Sequence, residues 1–403
     1  MNGAFRFAAP LLAVLAIAAC SNGGTSGMPV ENGIAQPNAR AHAMPQWQAR
    51  NLARPACGSA PRGGAQCLAL IEAKPGHHDS GSSGWTPADF QAAYNLPSAT
   101  KGKGQIVAIV DAYDNPDVAS DLATYRSAYG LGTANFTKYN QQGQTSNYPQ
   151  GSPSWGVETD LDVQMVSAVC PNCTIYLIEA NSENSDDLQA AEAEAVKLGA
   201  HVVSNSWICY SYSCSIDPSY FDTPGVIYTA GSGDEGYNII GPPMSLPTVD
   251  AVGGTVLSKN GSKYSEQAWD GAGSGCAQQV KKPKWQHDPS CSNRTGADIS
   301  AVAYDVAEYD SYDAGGWFTI GGTSVATPMI AGIYGLAGNA KSQHGPKNLW
   351  KLRSKQLKKA LHYISSGSNG SCGGSYLCTA GTKQFKTYSG PAGWGTPNGL
   401  GAF

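Results

Sequence analysis

Ser324 lies in GGTSVATPMIAG (321–332), a glycine-rich turn that opens a run of small residues at helical spacing. A helix start of this kind aims backbone amides and the positive end of its dipole at whatever lies before it, which favours a developing anion. A serine placed there can act as a nucleophile, provided that a neighbouring base takes its proton. The competing reading is that Thr323 or Ser324 only caps the helix. Histidine is the usual base. None of His42, His77, His78, His201, His287, His344 and His362 sits in a segment built for that task, and His201 opens a strand, where it reads as structural.

Carboxylates offer a base instead. In GVETDLDVQMV (156–166), Glu158 and Asp162 are four residues apart, one above the other on a single helix face. Two acids held that close cannot both ionise easily, so they share a proton and at least one pKa rises. A carboxylate with a raised pKa takes a serine proton better than a free one. Asp160 points to the other side, toward solvent or a supporting role. The alternative is a plain acidic helix N-terminus. A third acid, Asp234 in YTAGSGDEGYN, follows an apolar strand and a Gly-Ser-Gly turn. Protonated, it could donate a hydrogen bond to the oxyanion of a tetrahedral intermediate. The alternative there is a turn aspartate.

These residues need a scaffold, and the pattern from Trp85 onward supplies one. TPADFQAAYNL has Thr86 as an N-cap with Pro87 at the first helical position. Apolar strands are expected at 105–112, 174–180, 201–207 and 225–232, and helices at 115–131, 158–169 and 185–200. Near-continuous apolar strands alternating with helices predict an α/β fold, mostly a parallel sheet with helices on both faces. Chemistry in such folds gathers at the carboxyl ends of the strands.

The chain has 403 residues, 14% of them charged, with 49 glycines and a net charge of −4. No basic stripe is present, so nucleic acid is not an expected partner. The opening MNGAFRFAAPLLAVLAIAAC has one arginine, an apolar run and small residues before Cys20, the pattern of a signal peptide (1–20). IAAC resembles a bacterial lipobox, which makes Cys20 the expected lipidation site and tethers the chain to a membrane. Ser21 after it favours the outer membrane of a bacterial envelope, with plain secretion as the alternative. Residues 21–84 read as a linker with a short stapled segment, and 85–403 as the functional domain.

Without Cys20, ten cysteines remain, and they fall into neighbours. Proximity pairs Cys57 with Cys67, Cys170 with Cys173, Cys209 with Cys214, Cys276 with Cys291, and Cys372 with Cys378. Five local disulfides in an oxidising compartment is the simplest reading. CPNC (170–173) could instead belong to a redox or zinc site, but no second CxxC or suitable histidine pair accompanies it.

GVETDLD, AGSGDEGYN, LPTVDAVGGT and GGTSVATPMIAG, in this order, resemble the sedolisin family of serine-carboxyl peptidases, as do TPADFQAAYNLP, GKGQIVAIVDAYDNP and RTGADISAVA. The likeness runs from about Thr86 to Leu400. It implies a subtilisin-like α/β domain acting on peptide or protein substrates, with Ser324 as nucleophile and Glu158 as general base. It also implies Asp162 as the acid that orients Glu158 and Asp234 as the donor to the oxyanion. Asp111 and Trp207 fall near positions that extend this network.

Some features depart from the family. Tyr363 and Gly395 stand where it carries aspartates of a C-terminal calcium site, so neither calcium nor another cofactor is expected. The pair Cys372 and Cys378 would hold this region instead. Ile208 replaces a common glycine, and the stretch from Cys20 to Thr86 is too short for the family's large folded propeptide. The sequence therefore predicts an anchored endopeptidase active at acidic pH. A catalytically silent peptidase fold that binds peptides at the surface is the alternative, and a conventional histidine-based subtilase ranks last.

Overall fold

The computed structural model describes residues 52–72, 84–210, 214–385 and 387–403, all within one unit. The signal peptide, Cys20, His42, His77 and His78 lie outside the described residues. Among those described, no helix is long and apolar enough to cross a membrane.

Three short strands come first: β1 (Ala53–Pro55), β2 (Gln66–Cys67) and β3 (Leu70–Glu72). Helix α1 (Pro87–Ala93) opens as expected, with Pro87 in its first turn. Oδ2 of Asp89 accepts from both the Thr86 amide and its hydroxyl, which fixes this start. Then follow β4 (Ile106–Ala112), α2 (Val118–Ala128), β5 (Asn135–Asn140), α3 (Pro153–Val169), β6 (Thr174–Ala180) and α4 (Ser185–Lys197). Next come β7 (Val202–Asn205), β8 (Trp207–Ile208), β9 (Ile227–Gly231), β10 (Val249–Asn260) and β11 (Lys263–Ala268). The later elements are β12 (Gly275–Lys281), β13 (Asn293–Gly296), β14 (Ile299–Val302), β15 (Val306–Asp310), β16 (Gly316–Gly321) and α5 (Thr323–Ala337).

The main sheet runs β5-β6-β4-β7-β9-β10, all parallel, with β14 also parallel to β10 and β11 antiparallel at the edge. Branched apolar side chains make this possible. Val107, Ile109 and Val110 of β4 and Ile175, Leu177 and Ile178 of β6 have no exposure. Helices α3, α4 and α5 pack against the sheet.

α5 is apolar on every side, and Thr323–Leu336 are all buried, as befits a helix inside the core. Its glycines let it lie close to its neighbours. A Cβ on Gly332 would stand 2.5 Å from Val169 Cγ2, and one on Gly335 2.8 Å from both Val107 Cγ2 and Cys173 Sγ.

β1, β3, β16 and β15 form a second, antiparallel sheet. Residues 53–72 therefore contribute strands to the same unit that carries β16 and α5. All ten cysteines pair as spacing predicts. Cys57 bonds to Cys67, Cys170 to Cys173 and Cys209 to Cys214. Cys276 bonds to Cys291 across the β12–β13 connection, and Cys372 to Cys378 closes a tight loop near the C-terminus. With both of its thiols in one bridge, CPNC has no sulfur left for a metal. Elsewhere in the core, Arg294 and Asp298, neither of them exposed, form a two-pronged ion pair. Asp298 also accepts from Trp350 Nε1 at 2.7 Å and from the Ala251 amide at 3.0 Å.

Candidate active site

The helix bearing the acids starts earlier than the apolar pattern suggests. Its N-cap is Ser152 with Pro153 next, so Glu158 and Asp162 stand mid-helix and fully buried. This overturns the reading of an acidic, solvated helix end. Asp160 is buried too, and accepts from Asn115 Nδ2 at 2.6 Å rather than facing solvent.

Other elements converge on this face of α3. The end of β4 brings Asp111, the link between β7 and β8 brings Ser206, and the start of β8 brings Trp207. The residues after β9 bring Asp234, and the start of α5 brings Ser324. Gly322 is the N-cap of α5, so Thr323 and Ser324 stand inside the helix and neither caps it. Trp207 is buried and donates from Nε1 to the Val110 carbonyl at 3.1 Å, tying the turn to β4 beside Asp111.

Glu158 Oε2 accepts from the amides of Leu68 at 2.9 Å and Ala69 at 2.7 Å. Oε1 of Glu158, Oδ2 of Asp162 and both oxygens of Asp111 are buried and form no well-aligned hydrogen bond. Asp162 Oδ1 accepts from the Ser206 hydroxyl at 2.7 Å. Burial raises the pKa of Glu158 well above the usual carboxylate range, the charge of Asp111 adds to this, and the Ser324 hydroxyl and the Ala69 amide pull it back. Burial likewise raises Asp162, with Asp111 and Glu158 repelling its charge. Asp111 is pushed up to about 7 by burial. A proton shared among these carboxyls supplies the donor that their orphaned oxygens lack, at far lower cost than several buried charges.

Ser324 is buried, and its Oγ reaches the Ser206 carbonyl at 3.5 Å, a long contact. It also stands near enough to Glu158 to influence that carboxyl's titration. Asp234 is anchored to the same helix start: Oδ1 accepts from the Thr323 amide and from Thr323 Oγ1, each at 2.9 Å. The Asp234 amide donates to the Tyr210 hydroxyl at 3.1 Å. Burial pushes Asp234 up to about 8, so it carries a proton at neutral pH and below.

The chemistry available here is acyl transfer. A serine at a buried helix start lies beside an acid pair that holds a proton, with a neutral carboxylic acid tied to the same helix start. Reasoning from sequence missed Ser206, Thr323 and the two amides on Glu158. Ser206 stood within SNSW, where a polar residue just past an apolar strand end is a usable signal.

No family model matches the chain. It is 25% identical over 361 residues to sedolisin of a Pseudomonas species, an alignment covering 78% of this chain and 60% of that protein. It is 28% identical over 286 residues to kumamolisin of a Bacillus species, covering 62% and 51%. With xanthomonalisin of a Xanthomonas species the figures are 23% over 394 residues, covering 80% and 45%. The solved structure of Pseudomonas sedolisin, a serine-carboxyl proteinase in complex with pseudo-iodotyrostatin, superposes with a TM-score of 0.65 at 25% identity, over 78% of this chain and 95% of that one. In sequence and in fold alike, the chain is similar to the sedolisins.

The fold is accordingly subtilisin-like α/β, and the chain spans about half the length of the curated sedolisin relatives it matches. The calcium site expected of a sedolisin does not fit these residues. A side chain at Gly395 would stand 2.1 Å from the His362 carbonyl oxygen, and Tyr363 offers no carboxylate. Among the described residues, no group of three or more His, Cys, Asp and Glu is placed to hold a metal ion. Five disulfides match an extracytoplasmic setting.

Proposed function

We propose that this sedolisin relative is a serine-carboxyl endopeptidase that hydrolyses protein substrates at acidic pH. The observation that carries the reading is the convergence of Ser324, Glu158, Asp162 and Asp234, from three separate elements, on one buried gap where burial keeps the acids protonated. Ser324 Oγ attacks the substrate carbonyl as Glu158 takes its proton. Asp162 holds and steadies Glu158, and Asp234 donates its proton as a hydrogen bond to the oxyanion. Glu158 then protonates the leaving amine. Asp111 and Trp207 act through Glu158 and Asp162 and through the β7–β8 turn.

The pH dependence follows from the protons. Raising pH through the folded pKa of Asp234, about 8, and through the raised values of the acid cluster removes the donor and charges the pair, so activity falls toward alkaline pH. Assay on denatured protein between pH 3 and 8 is expected to give an optimum below about pH 6, with Ser324→Ala lowering turnover at least about a thousandfold. An optimum at or above pH 8 refutes the mechanism. A Ser324→Ala protein as active as its parent does so too, and a parent inactive at every one of these pH values leaves a silent peptide-binding fold. We place the enzyme in the bacterial envelope, held by lipid on Cys20; Cys20→Ser is expected to move it from the membrane fraction to the soluble one.

A further inference from the structure

α3 carries acids on more than one side. Where it packs against β15 it presents Asp160, and β15 presents Glu308 and Asp310, two positions apart on one side of the strand. α2 adds Asp121 and the hydroxyl of Tyr125. Asp160, Glu308 and Asp310 have no exposure. Gln164, one turn along α3 from Asp160, clamps the residue between the two β15 acids. Its Nε2 donates to the Tyr309 carbonyl at 2.7 Å, and its Oε1 accepts from the Tyr309 amide at 3.1 Å. Just past β15, the Ser311 amide and hydroxyl each donate to Asp121 at 2.8 Å, which ties this strand end to α2.

Nothing positive balances this seam. Among the described residues, no lysine or arginine forms an ion pair with Asp121, Asp160, Glu308 or Asp310. Asn115 Nδ2 gives Asp160 Oδ2 one donor, and the Asp313 and Ala314 amides give Asp310 Oδ1 two, each at 2.7 Å. Asp160 Oδ1, Asp310 Oδ2, the Tyr125 hydroxyl and both oxygens of Glu308 are buried and form no well-aligned hydrogen bond. Glu308 is faced by Tyr125 on α2, by Glu158, Asp160 and Asp162 on α3, and by Asp310 on its own strand. Asp160 faces Asp121 and Asp310, Asp310 also faces Asp313, and Asp121 also faces Asp117. Every one of these neighbours is an acid or a phenol. Burial lifts Glu308 and Asp160 well above the usual carboxylate range and their acidic neighbours add to it; burial raises Asp310 as well. Each proton lost here leaves a charge in a space with no counter-charge.

The seam bears on Ser324 through β16. β15 pairs with β16 along its length, Glu308 opposite Phe318 and Asp310 opposite Gly316. β16 ends at Gly321, and Ser324 comes two residues after the Gly322 N-cap. A shift of β15 away from α3 therefore pulls on Ser324 and leaves Glu158 and Asp162 behind on the helix. We propose that Asp160, Glu308 and Asp310 are positioning residues for Ser324. Uncharged, they let β15 and β16 lie on α3; charged, they push both strands off it and carry the hydroxyl away from Glu158, while the main sheet stays folded. This deepens the peptidase reading above and rests on it. Acids raised by folding favour the closed seam fully below the ordinary carboxylate range, and release it as pH rises through their raised values. Turnover then has a cause of alkaline loss separate from the protons of Asp234 and Glu158.

The test is amide hydrogen exchange in the full chain carrying Ser324→Ala, at pH 5 and pH 8, with each rate divided by its intrinsic rate at that pH. Amides of 306–321 are expected to lose protection at least about tenfold at pH 8, while those of β4 and β6 change less than about threefold. In Ser324→Ala/Asp160→Asn/Glu308→Gln the loss over 306–321 is expected to fall below about threefold, and in the milder Ser324→Ala/Glu308→Gln to lie between the two, with circular dichroism at pH 5 confirming both folds. With Ser324 restored, Asp160→Asn/Glu308→Gln is expected to keep at pH 7 a share of its own pH 4 turnover at least about threefold larger than wild type keeps. Unchanged protection of 306–321 at pH 8 in Ser324→Ala overturns the inference. A loss that spreads evenly over β4 and β6 does so too, as does one that the substitutions leave in place. Any of these results, in an enzyme that digests denatured protein, leaves the peptidase reading standing. A wild type inactive at every pH overturns the peptidase reading, whereas exchange still decides the seam.

Discussion

Replacing Asp234 by asparagine isolates the proton held at that position. Asparagine keeps an oxygen to accept from the Thr323 amide and hydroxyl, and it places an NH2 where the acid carries its proton, so shape and hydrogen bonds survive. Titration is what changes. Burial lifts Asp234 from 3.8 to about 8, and only 3% of the residue is exposed. Between those two values the folded chain retains a proton that the unfolded chain has released. The folded state is therefore favoured at low pH, and that advantage is lost steadily as pH rises, until it is gone above about 8. One proton corresponds to about 1.4 kcal/mol per pH unit. From about pH 5 to about pH 7 this reaches roughly 3 kcal/mol, or roughly half that if the buried site relaxes around the charge. The assay is urea unfolding at several pH values in that range, comparing Ser324→Ala with Ser324→Ala/Asp234→Asn so that neither digests itself. The other buried acids make both proteins lose stability as pH rises, and the variant's loss is expected to be shallower by up to one proton's slope. Coincident slopes would mean that Asp234 titrates as an ordinary carboxylate, and the neutral oxyanion donor would be refuted.

Glu158→Gln removes the proton carrier but keeps an oxygen for the Leu68 and Ala69 amides; kcat is expected to fall about 10²–10⁴-fold, with melting temperature little changed. A kcat within threefold of wild type would exclude Glu158 as the base. Asp298→Ala strands the buried Arg294 charge and strips acceptors from Trp350 and Ala251, so urea unfolding is expected to register a loss of about 3–5 kcal/mol. A loss below about 1 kcal/mol would mean that water or another acceptor takes over.

Much of the scaffold is legible because burial on both faces writes itself into the chain. The β6 strand is TIYLIEA in sequence and in structure, and β4 differs from its expected range by one residue. The acid pair is legible for a related reason: a helix sets Glu158 and Asp162, four residues apart, one above the other on a single face. The helix start is less so. Pro153 marks it, but the apolar pattern is weak until Val157, and the missed turn turns a buried mid-helix pair into an apparent solvated end. The path of residues 53–72 is not legible at all. Its strands are two or three residues long and their partners lie far along the chain, at 207–208 and 320–321, so local composition carries no trace of the pairing.

Every disulfide among the described residues links cysteines 3 to 15 positions apart, from Cys170 and Cys173 at the short end to Cys276 and Cys291 at the long one. Such bridges confine little of the chain, because the entropy removed by cross-linking grows with loop length. They do simplify biogenesis. As the polypeptide is exported, each thiol meets its correct mate within 15 residues of emerging, before any more distant cysteine has crossed the membrane. Oxidation can proceed in order from one end of the chain to the other, with scant opportunity for scrambled pairs and little demand for an isomerase.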